Sequence, residues 1–447
     1  MKIVVCGFGS AGYSAAMAIK RYDYKAEIIV IDPKENDLMH PCGLPYALEG
    51  VINQEHLVQN LNFHRFGITK IKGIAEKIFH HEKTVAISTL QGKKIESYDK
   101  LIIALGCRPF MPSIINLDRY MNSSIYTLTS TGDLDLIKER IKSAARCAII
   151  GGGAIGIETA YALKAQNKDV TIIEMADQLL NGILDNDMAA FAENYLNEAG
   201  IKVIKNKKVT GVEGNELLKN IICDEESIPA DMAVLAAGFK PELSLAENSG
   251  IEFSIDGIKT NEMLLTSAED VYAAGDCIIN YSVIDKKPIS SRLATSAYKQ
   301  GAVAAANALG GNEKYHGRAG TFVTRFGSFE IAGTGFNTAQ AALRGYTPVS
   351  GKITSKIRPE YYPDNSDITV KIIFDKDTGL VLGAQCAGEE GVAERVNIVS
   401  MALEFGITID ALCRTELAYA PSVSEVYDPL FRAADFGLRR MKRDKIK

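Results

Sequence analysis

The 447-residue sequence predicts an α/β fold, with two similar parallel-sheet units followed by an α+β unit. Three observations carry that prediction. A run of strand, glycine-rich turn, helix and second strand occurs twice. A second signature, ending in glycine and proline, follows each copy. From about residue 318 this order gives way to strand alternation and then to helical periodicity.

The first copy opens with the apolar run Ile3-Val4-Val5-Cys6 and the turn Gly7-Phe8-Gly9-Ser10-Ala11-Gly12. A helical pattern then runs from Tyr13 to Arg21, and a second strand, Ile28-Ile29-Val30-Ile31, ends on Asp32. The second copy opens with Cys147-Ala148-Ile149-Ile150 and Gly151-Gly152-Gly153-Ala154-Ile155-Gly156. Its helix spans Ile157 to Gln166, and Val170-Thr171-Ile172-Ile173 ends on Glu174. The acids fall 25 and 23 residues after the first glycine of their copies. Each copy is a G-x-G-x-x-G fingerprint between strand and helix, the context that binds a dinucleotide. The first glycine permits the tight turn, the second lets backbone approach a pyrophosphate, and the third lets helix pack on strand. The helix N-terminus offers unpaired N–H groups to phosphate, and the acid accepts from a ribose. Two copies imply two dinucleotides.

The second signature is Asp99-Lys100-Leu101-Ile102-Ile103-Ala104-Leu105-Gly106-Cys107-Arg108-Pro109. Asp231 to Pro241 repeats it, with Gly238 in the place of Gly106. Alternating segments such as Thr84 to Thr89 and Lys93 to Tyr98 read as β-meanders inserted in the nucleotide units. One element has no counterpart. Asp270-Val271-Tyr272-Ala273-Ala274-Gly275-Asp276 reads as a strand ending in Gly-Asp, and a helical run from Ala294 and Thr295 to Leu309 follows. A carboxylate at such a strand end suits a polyol chain.

The net charge of −5 argues against nucleic acid as a partner. The basic run Leu438 to Lys445 reads as a solvated, frayed tail. No segment has the ~18 uninterrupted apolar residues of a membrane span. A strand beginning at Lys2 leaves no room for a signal peptide. Eight scattered cysteines without a C-x-x-C pair predict neither a disulfide framework nor a metal site, and fit a reducing cytoplasm. Cys6, Cys147 and Cys386 sit among apolar neighbours and read as core residues.

Taken together, these residues resemble the FAD-dependent pyridine nucleotide–disulfide oxidoreductase family over nearly the whole chain. The resemblance implies two Rossmann-like dinucleotide-binding domains with β-meander insertions plus an α+β C-terminal dimerisation domain, and hence a homodimer. It implies FAD at 1–112 and 245–317, NAD(P)H at 113–244 and the interface at 318–447. FAD would be held by Gly7, Gly9, Ser10, Ala11, Gly12, Asp32, Gly106, Asp276, Ala294 and Thr295. The nicotinamide cofactor would be held by Gly151, Gly153, Ala154, Ile155, Gly156, Glu174 and Gly238. Glu174 would repel a ribose 2′-phosphate, which favours NADH over NADPH.

Cys42, in Met39-His40-Pro41-Cys42-Gly43-Leu44-Pro45-Tyr46, is similar to the redox cysteine of the single-cysteine subgroup. That subgroup includes coenzyme A disulfide reductases, persulfide or polysulfide reductases and NADH oxidases. Tyr419 and Tyr361 resemble the subgroup's tyrosines that reach the partner subunit's cysteine, with Tyr419 a proton donor to the leaving thiolate. Arg21 and Lys70 resemble positions that contact coenzyme A. The implied activity is reduction of a coenzyme A disulfide, persulfide or polysulfide. Only a thiolate is a good sulfur nucleophile, and a helix start after Gly43, next to an oxidised flavin, is expected to lower the pKa of Cys42. Two alternatives remain. One is an NADH oxidase cycling through a cysteine sulfenic acid, although Ser10 stands where such oxidases carry histidine. The other is an electron-transfer flavoprotein serving a protein partner, for which Cys42 would be dispensable.

Overall fold

The computed structural model describes residues 1–224, 226–290 and 292–444. The first fingerprint strand, Lys2–Cys6, is the centre of a five-stranded parallel sheet. Its order is Val271–Ala273, Lys100–Ile103, Lys2–Cys6, Glu27–Ile31, Ile68–Ile71. The second, Arg146–Ile150, is the centre of a sheet of the same kind, ordered Ile125–Tyr126, Met232–Leu235, Arg146–Ile150, Asp169–Ile173, Lys202–Ile204. These central strands are buried on both faces, as parallel strands covered by helices must be, so they read as unbroken Val/Ile runs. The outer strand distinguishes the two sheets. In the second it comes from just upstream, whereas in the first it comes from Val271–Ala273, far downstream. That distant strand ends at Ala273, and the turn after it brings Gly275 and Asp276 to the first glycine turn, where a Cβ on Gly275 would stand 3.0 Å from that of Ala11.

Each sheet has the expected antiparallel three-stranded meander, Ile74–Phe79, Thr84–Thr89 and Gly92–Ser97 in one, Val209–Gly214, Leu218–Cys223 and Glu226–Pro229 in the other. The acids of the repeated signature clamp the sheets. Asp99 accepts the Lys2 amide at 2.6 Å and Asp231 the Arg146 amide at 2.8 Å, each at the start of a fingerprint strand. The signature's ends then pair with each other, Cys107–Pro109 antiparallel to Phe239–Pro241. The Phe110 amide donates to the Gly238 carbonyl at 2.9 Å, and the Glu242 amide to that of Gly106 at 3.0 Å. The two halves thus meet through matching segments of their repeat.

The third unit is an antiparallel sheet ordered Phe322–Phe326, Phe329–Gly335, Val381–Gly388, Asp367–Asp375, Pro348–Lys356. The helices Val392–Glu404 and Pro429–Asp444 pack on it. The latter corrects the expectation of a frayed basic tail over Leu438 to Asp444; Lys445 lies outside the described residues. Leu430, Phe431, Ala433, Ala434 and Leu438 recur at helical spacing and are buried. A methyl at Gly351 would lie 1.9 Å from the Ala433 carbonyl oxygen, so the helix lies flush on the strand Pro348–Lys356. Charge in the sequence marks the helix's outer face and masks the apolar stripe beneath it. Among the described residues no helix is long and apolar enough to cross a membrane.

Candidate active site

Both glycine turns are built by the same contacts. Gly7 and Gly151 have φ of +93° and +115°, and a Cβ on either would stand 2.4 Å from a carbonyl oxygen, that of Ala104 or Ala236. A Cβ on Gly12 or Gly156 would stand 2.1 Å from the carbonyl oxygen of Gly7 or Gly151, so helix and strand touch there. Gly9 and Gly153 have no neighbour within 4 Å of such a Cβ and face open space, as do Gly106 and Gly238. The helices that start here, Ser10–Tyr22 and Ala154–Ala165, have no side chain capping their N-termini. Their first N–H groups, with Ser10 and Ala11 in one and Ala154 and Ile155 in the other, are free for a phosphate.

The acids are placed alike. Asp32 is buried and accepts the Phe8 amide at 2.7 Å and the Lys34 amide at 2.9 Å. Glu174 accepts the Gly152 amide at 2.6 Å and the Ala176 amide at 2.7 Å. Each carboxylate oxygen keeps a lone pair for a ribose hydroxyl. Asp276 adds an orphan to the first crevice. Its Oδ2 accepts from the Cys107 thiol at 3.6 Å, while its Oδ1 is buried without a partner. Buried acceptors are rarely left unpaired, and a polyol hydroxyl would supply the missing donor. Gln300, which the sequence did not single out, fixes that turn by accepting the Gly275 amide at 2.8 Å. The neighbouring helix Ala294–Ala308 begins with Ala294 and Thr295 exposed and no side-chain cap. These residues fit FAD in the first crevice and a nicotinamide dinucleotide in the second.

Cys42 lies in the 3₁₀ turn Pro41–Gly43, just before the six-residue helix Leu44–Glu49. That helix leaves its own unit. Leu44, Ala47 and Leu48 join the core around the second fingerprint helix, and the Gln166 amide donates to the Leu48 and Glu49 carbonyls. Cys42 is therefore held where the two nucleotide units meet. Of the eight cysteines it alone is exposed; Cys6, Cys147 and Cys386 are core residues.

The protein groups by themselves raise the pKa of Cys42. Desolvation by the surrounding protein is the largest effect, and the charges of Glu158 and then Asp276 add to it, so the thiol is pushed up. Only a backbone N–H opposes them, and a helix of six residues has little dipole to offer.

Glu158 was not legible in the sequence, where it is one more helical glutamate. It joins three parts of the chain. It sits on the helix Ala154–Ala165, accepts the Thr324 hydroxyl at 2.6 Å from the third sheet, and lies 3.4 Å from the Tyr46 hydroxyl, four residues past Cys42. Burial raises its pKa to about 6, against the two hydroxyl hydrogen bonds that lower it. The carboxyl therefore gains its charge as pH rises through about 6, and that charge holds the Cys42 proton more tightly. Glu158→Gln removes the charge, so the Cys42 thiolate should form at lower pH. Iodoacetamide alkylation of Cys42, followed by mass spectrometry across pH 5 to 10, should shift to lower pH and run severalfold faster at pH 7. An unchanged profile would show that the carboxylate does not act on the sulfur.

The structure brings Tyr361 and Tyr419 together, their hydroxyls 3.4 Å apart and their side chains exposed. The hydrogen bond to Tyr361 is the main reason the Tyr419 hydroxyl keeps its proton to higher pH. Arg21 is exposed at the end of its helix. The Lys70 ammonium is engaged by the Lys34 and Asn36 carbonyls, each at 2.9 Å, and by Asp37 at 3.4 Å.

Comparison with known proteins agrees with this geometry. Residues 1–301 match the model of the pyridine nucleotide-disulphide oxidoreductases, and 321–430 that of the same family's dimerisation domain. The chain is 32% identical to an NADH oxidase of Methanocaldococcus jannaschii, with 99% of each chain covered. It is also 32% identical to the NAD(P)H coenzyme A polysulfide/persulfide reductase of Pyrococcus horikoshii, with 96% of each covered. The solved NAD-dependent persulfide reductase of A. fulgidus superposes with a TM-score of 0.95 at 33% identity, covering 100% of this chain and 84% of that one. The chain therefore belongs to the pyridine nucleotide-disulphide oxidoreductase family, enzymes that use FAD and NAD(P)H.

Proposed function

We propose that this enzyme is an NADH-dependent reductase of a coenzyme A disulfide or a related persulfide or polysulfide, with Cys42 as its redox thiol. One observation carries the reading: the only exposed cysteine stands where the two nucleotide units meet, beside the carboxylate meant for the flavin's polyol. The persulfide and polysulfide reductases among its relatives support it. FAD belongs to residues 1–112 and 245–317, with Gly7, Gly9, Gly12 and Asp32 at its pyrophosphate and ribose and Asp276 at its polyol. NADH belongs to 113–244, where Glu174 disfavours a 2′-phosphate. Residues 318–447 make the homodimer, and the exposed Tyr361–Tyr419 pair serves the partner subunit's Cys42.

The chemistry of the thiol follows from its own residues. The Cys42 thiolate attacks one sulfur of the substrate disulfide. One S–S bond forms, another breaks, and a thiolate leaves. Tyr419, kept protonated by its hydrogen bond to Tyr361, gives that thiolate a proton. Two electrons are needed to cleave the mixed disulfide and restore Cys42; FAD, when held by the residues named above, would supply them from NADH. The net change is one disulfide and NADH, with one proton, to two thiols and NAD⁺. Because the surrounding protein raises the Cys42 pKa, thiolate formation depends on the loaded cofactor and on substrate binding. Arg21 at its exposed position suits a coenzyme A phosphate. Lys70, already engaged by four acceptors, the Lys34, Glu35 and Asn36 carbonyls and Asp37, would have to exchange them to do the same.

A second reading is an NADH oxidase that reduces oxygen through a sulfenic acid on Cys42, favoured by the M. jannaschii relative of that name. Anaerobic NADH consumption separates the two. The proposal expects turnover with coenzyme A disulfide or coenzyme A persulfide in the absence of air, with one NADH spent per S–S bond cleaved. Turnover confined to air, with no thiol product, would replace it by the oxidase.

A further inference from the structure

Beside Asp276 lies a cavity of about 110 Å³ whose other lining residues have no part in the roles above. Ile279, Pro288 and Ile289 form apolar walls, and Arg292 and Arg318 bring two guanidiniums to it. Arg318 is 5% exposed, and its Nε and Nη2 are buried without a partner. The Nε of Arg292 is in the same condition. Neither arginine forms an ion pair among the described residues. Asp276 faces them with its own unpartnered Oδ1, and Asp256 stands exposed at the rim.

A guanidinium carries five N–H donors and no acceptor, and leaving it buried and unpaired is costly. Two of them side by side repel, and Asp276, shared with the Cys107 thiol, does not close on either. The apolar walls strengthen whatever charge completes the group. A small inorganic anion fits such a space, and inside the rim two guanidiniums beside the one carboxylate of Asp276 leave a net positive charge that a monoanion neutralises.

We infer that Arg292 and Arg318 form a receptor for a compact inorganic monoanion, held next to the polyol carboxylate. Two sources share this chemistry. One is ambient halide. The other is hydrosulfide, which a reductase acting on persulfide or polysulfide would release. The receptor itself stands on the cavity and the unpaired guanidiniums; only the hydrosulfide source rests on the proposed function.

The test uses the FAD-loaded protein. Crystals soaked in sodium bromide should give an anomalous bromine peak within contact distance of both guanidiniums. In solution, bromide and, anaerobically, hydrosulfide should bind saturably by calorimetry at an ionic strength held constant with sodium gluconate. Arg318→Met and Arg292→Met should weaken that binding roughly tenfold or more, as loss of a charged hydrogen-bond donor does. Arg65→Gln, at an exposed position, should leave it unchanged. Hydrosulfide binding well above bromide assigns the site to the sulfur product, and equal binding assigns it to halide. No saturable binding, equal binding in the arginine variants, or a bromide-free map with flavin atoms bonded to both guanidiniums overturns the receptor. Should Arg318→Met fail to fold, Arg292→Met and the wild-type bromide map still decide. Loss of disulfide reduction with anion binding intact would remove the proposed function and leave the receptor standing.

Discussion

Cys42→Ser should abolish NADH-driven cleavage of coenzyme A disulfide or persulfide while leaving the flavin chemistry intact. The serine hydroxyl is a far weaker nucleophile, and its oxygen cannot enter a disulfide exchange. The loss should be roughly a thousandfold or more in kcat/KM, the scale expected when a covalent nucleophile is removed. FAD content and reduction of ferricyanide by NADH, which need no thiol, should stay near wild type. The comparison separates the readings already named. An electron-transfer flavoprotein would keep its physiological reaction in this variant. An oxidase would lose oxygen consumption instead. Retention of disulfide cleavage within a few-fold of wild type would remove Cys42 from the mechanism. Substitution at any of the buried cysteines, Cys6, Cys147 or Cys386, should act through packing and not through this reaction.

How much of this was legible in the sequence depends on the reach of each feature. The fingerprints were readable because the tight turn, the helix–strand contact and the distal acid all lie within about 25 residues. The same is true of the signature Asp99 to Pro109 and its repeat. Its acids were visible as a matched spacing, but their work, clamping the amides of Lys2 and Arg146, appears only once the strands pair. Glu158 was invisible for a stronger reason. Its partners Tyr46 and Thr324 lie 112 and 166 residues away, and no periodicity links them. The Cys42 turn was found by its neighbours in sequence, but the burial and the distant acids that push its thiol up are set by the fold. The terminal helix was misread because five basic residues, Arg439 to Lys445, mask an apolar stripe that ends at Leu438. The Tyr361–Tyr419 contact, 58 residues apart, came from resemblance and from no local pattern.

The paired glycine turns allow a sharper test than either alone, because the same substitution should cost a different cofactor in each half. In both turns a Cβ on the third glycine would stand 2.1 Å from the first glycine's carbonyl oxygen, far inside contact distance. A methyl at Gly12 must push the helix Ser10–Tyr22 off the strand Lys2–Cys6, and with it the N–H groups aimed at the first pyrophosphate. Overpacking of this kind costs about 1–3 kcal/mol, or roughly 5- to 150-fold in an affinity that depends on the displaced groups. Gly12→Ala should therefore purify with substoichiometric FAD, read from the flavin absorbance and from FAD freed on dilution. Gly156→Ala should keep its FAD, and the penalty should fall on NADH, as slower flavin reduction at low NADH in a stopped-flow trace. Because the two sites are built by matched contacts, stability changes should be similar in the two variants and cannot explain opposite losses. If Gly156→Ala sheds flavin while Gly12→Ala keeps it, the two crevices are assigned the wrong way round. If both variants lose both cofactors equally, the halves do not bind independently and the pairing between Cys107–Pro109 and Phe239–Pro241 transmits the strain.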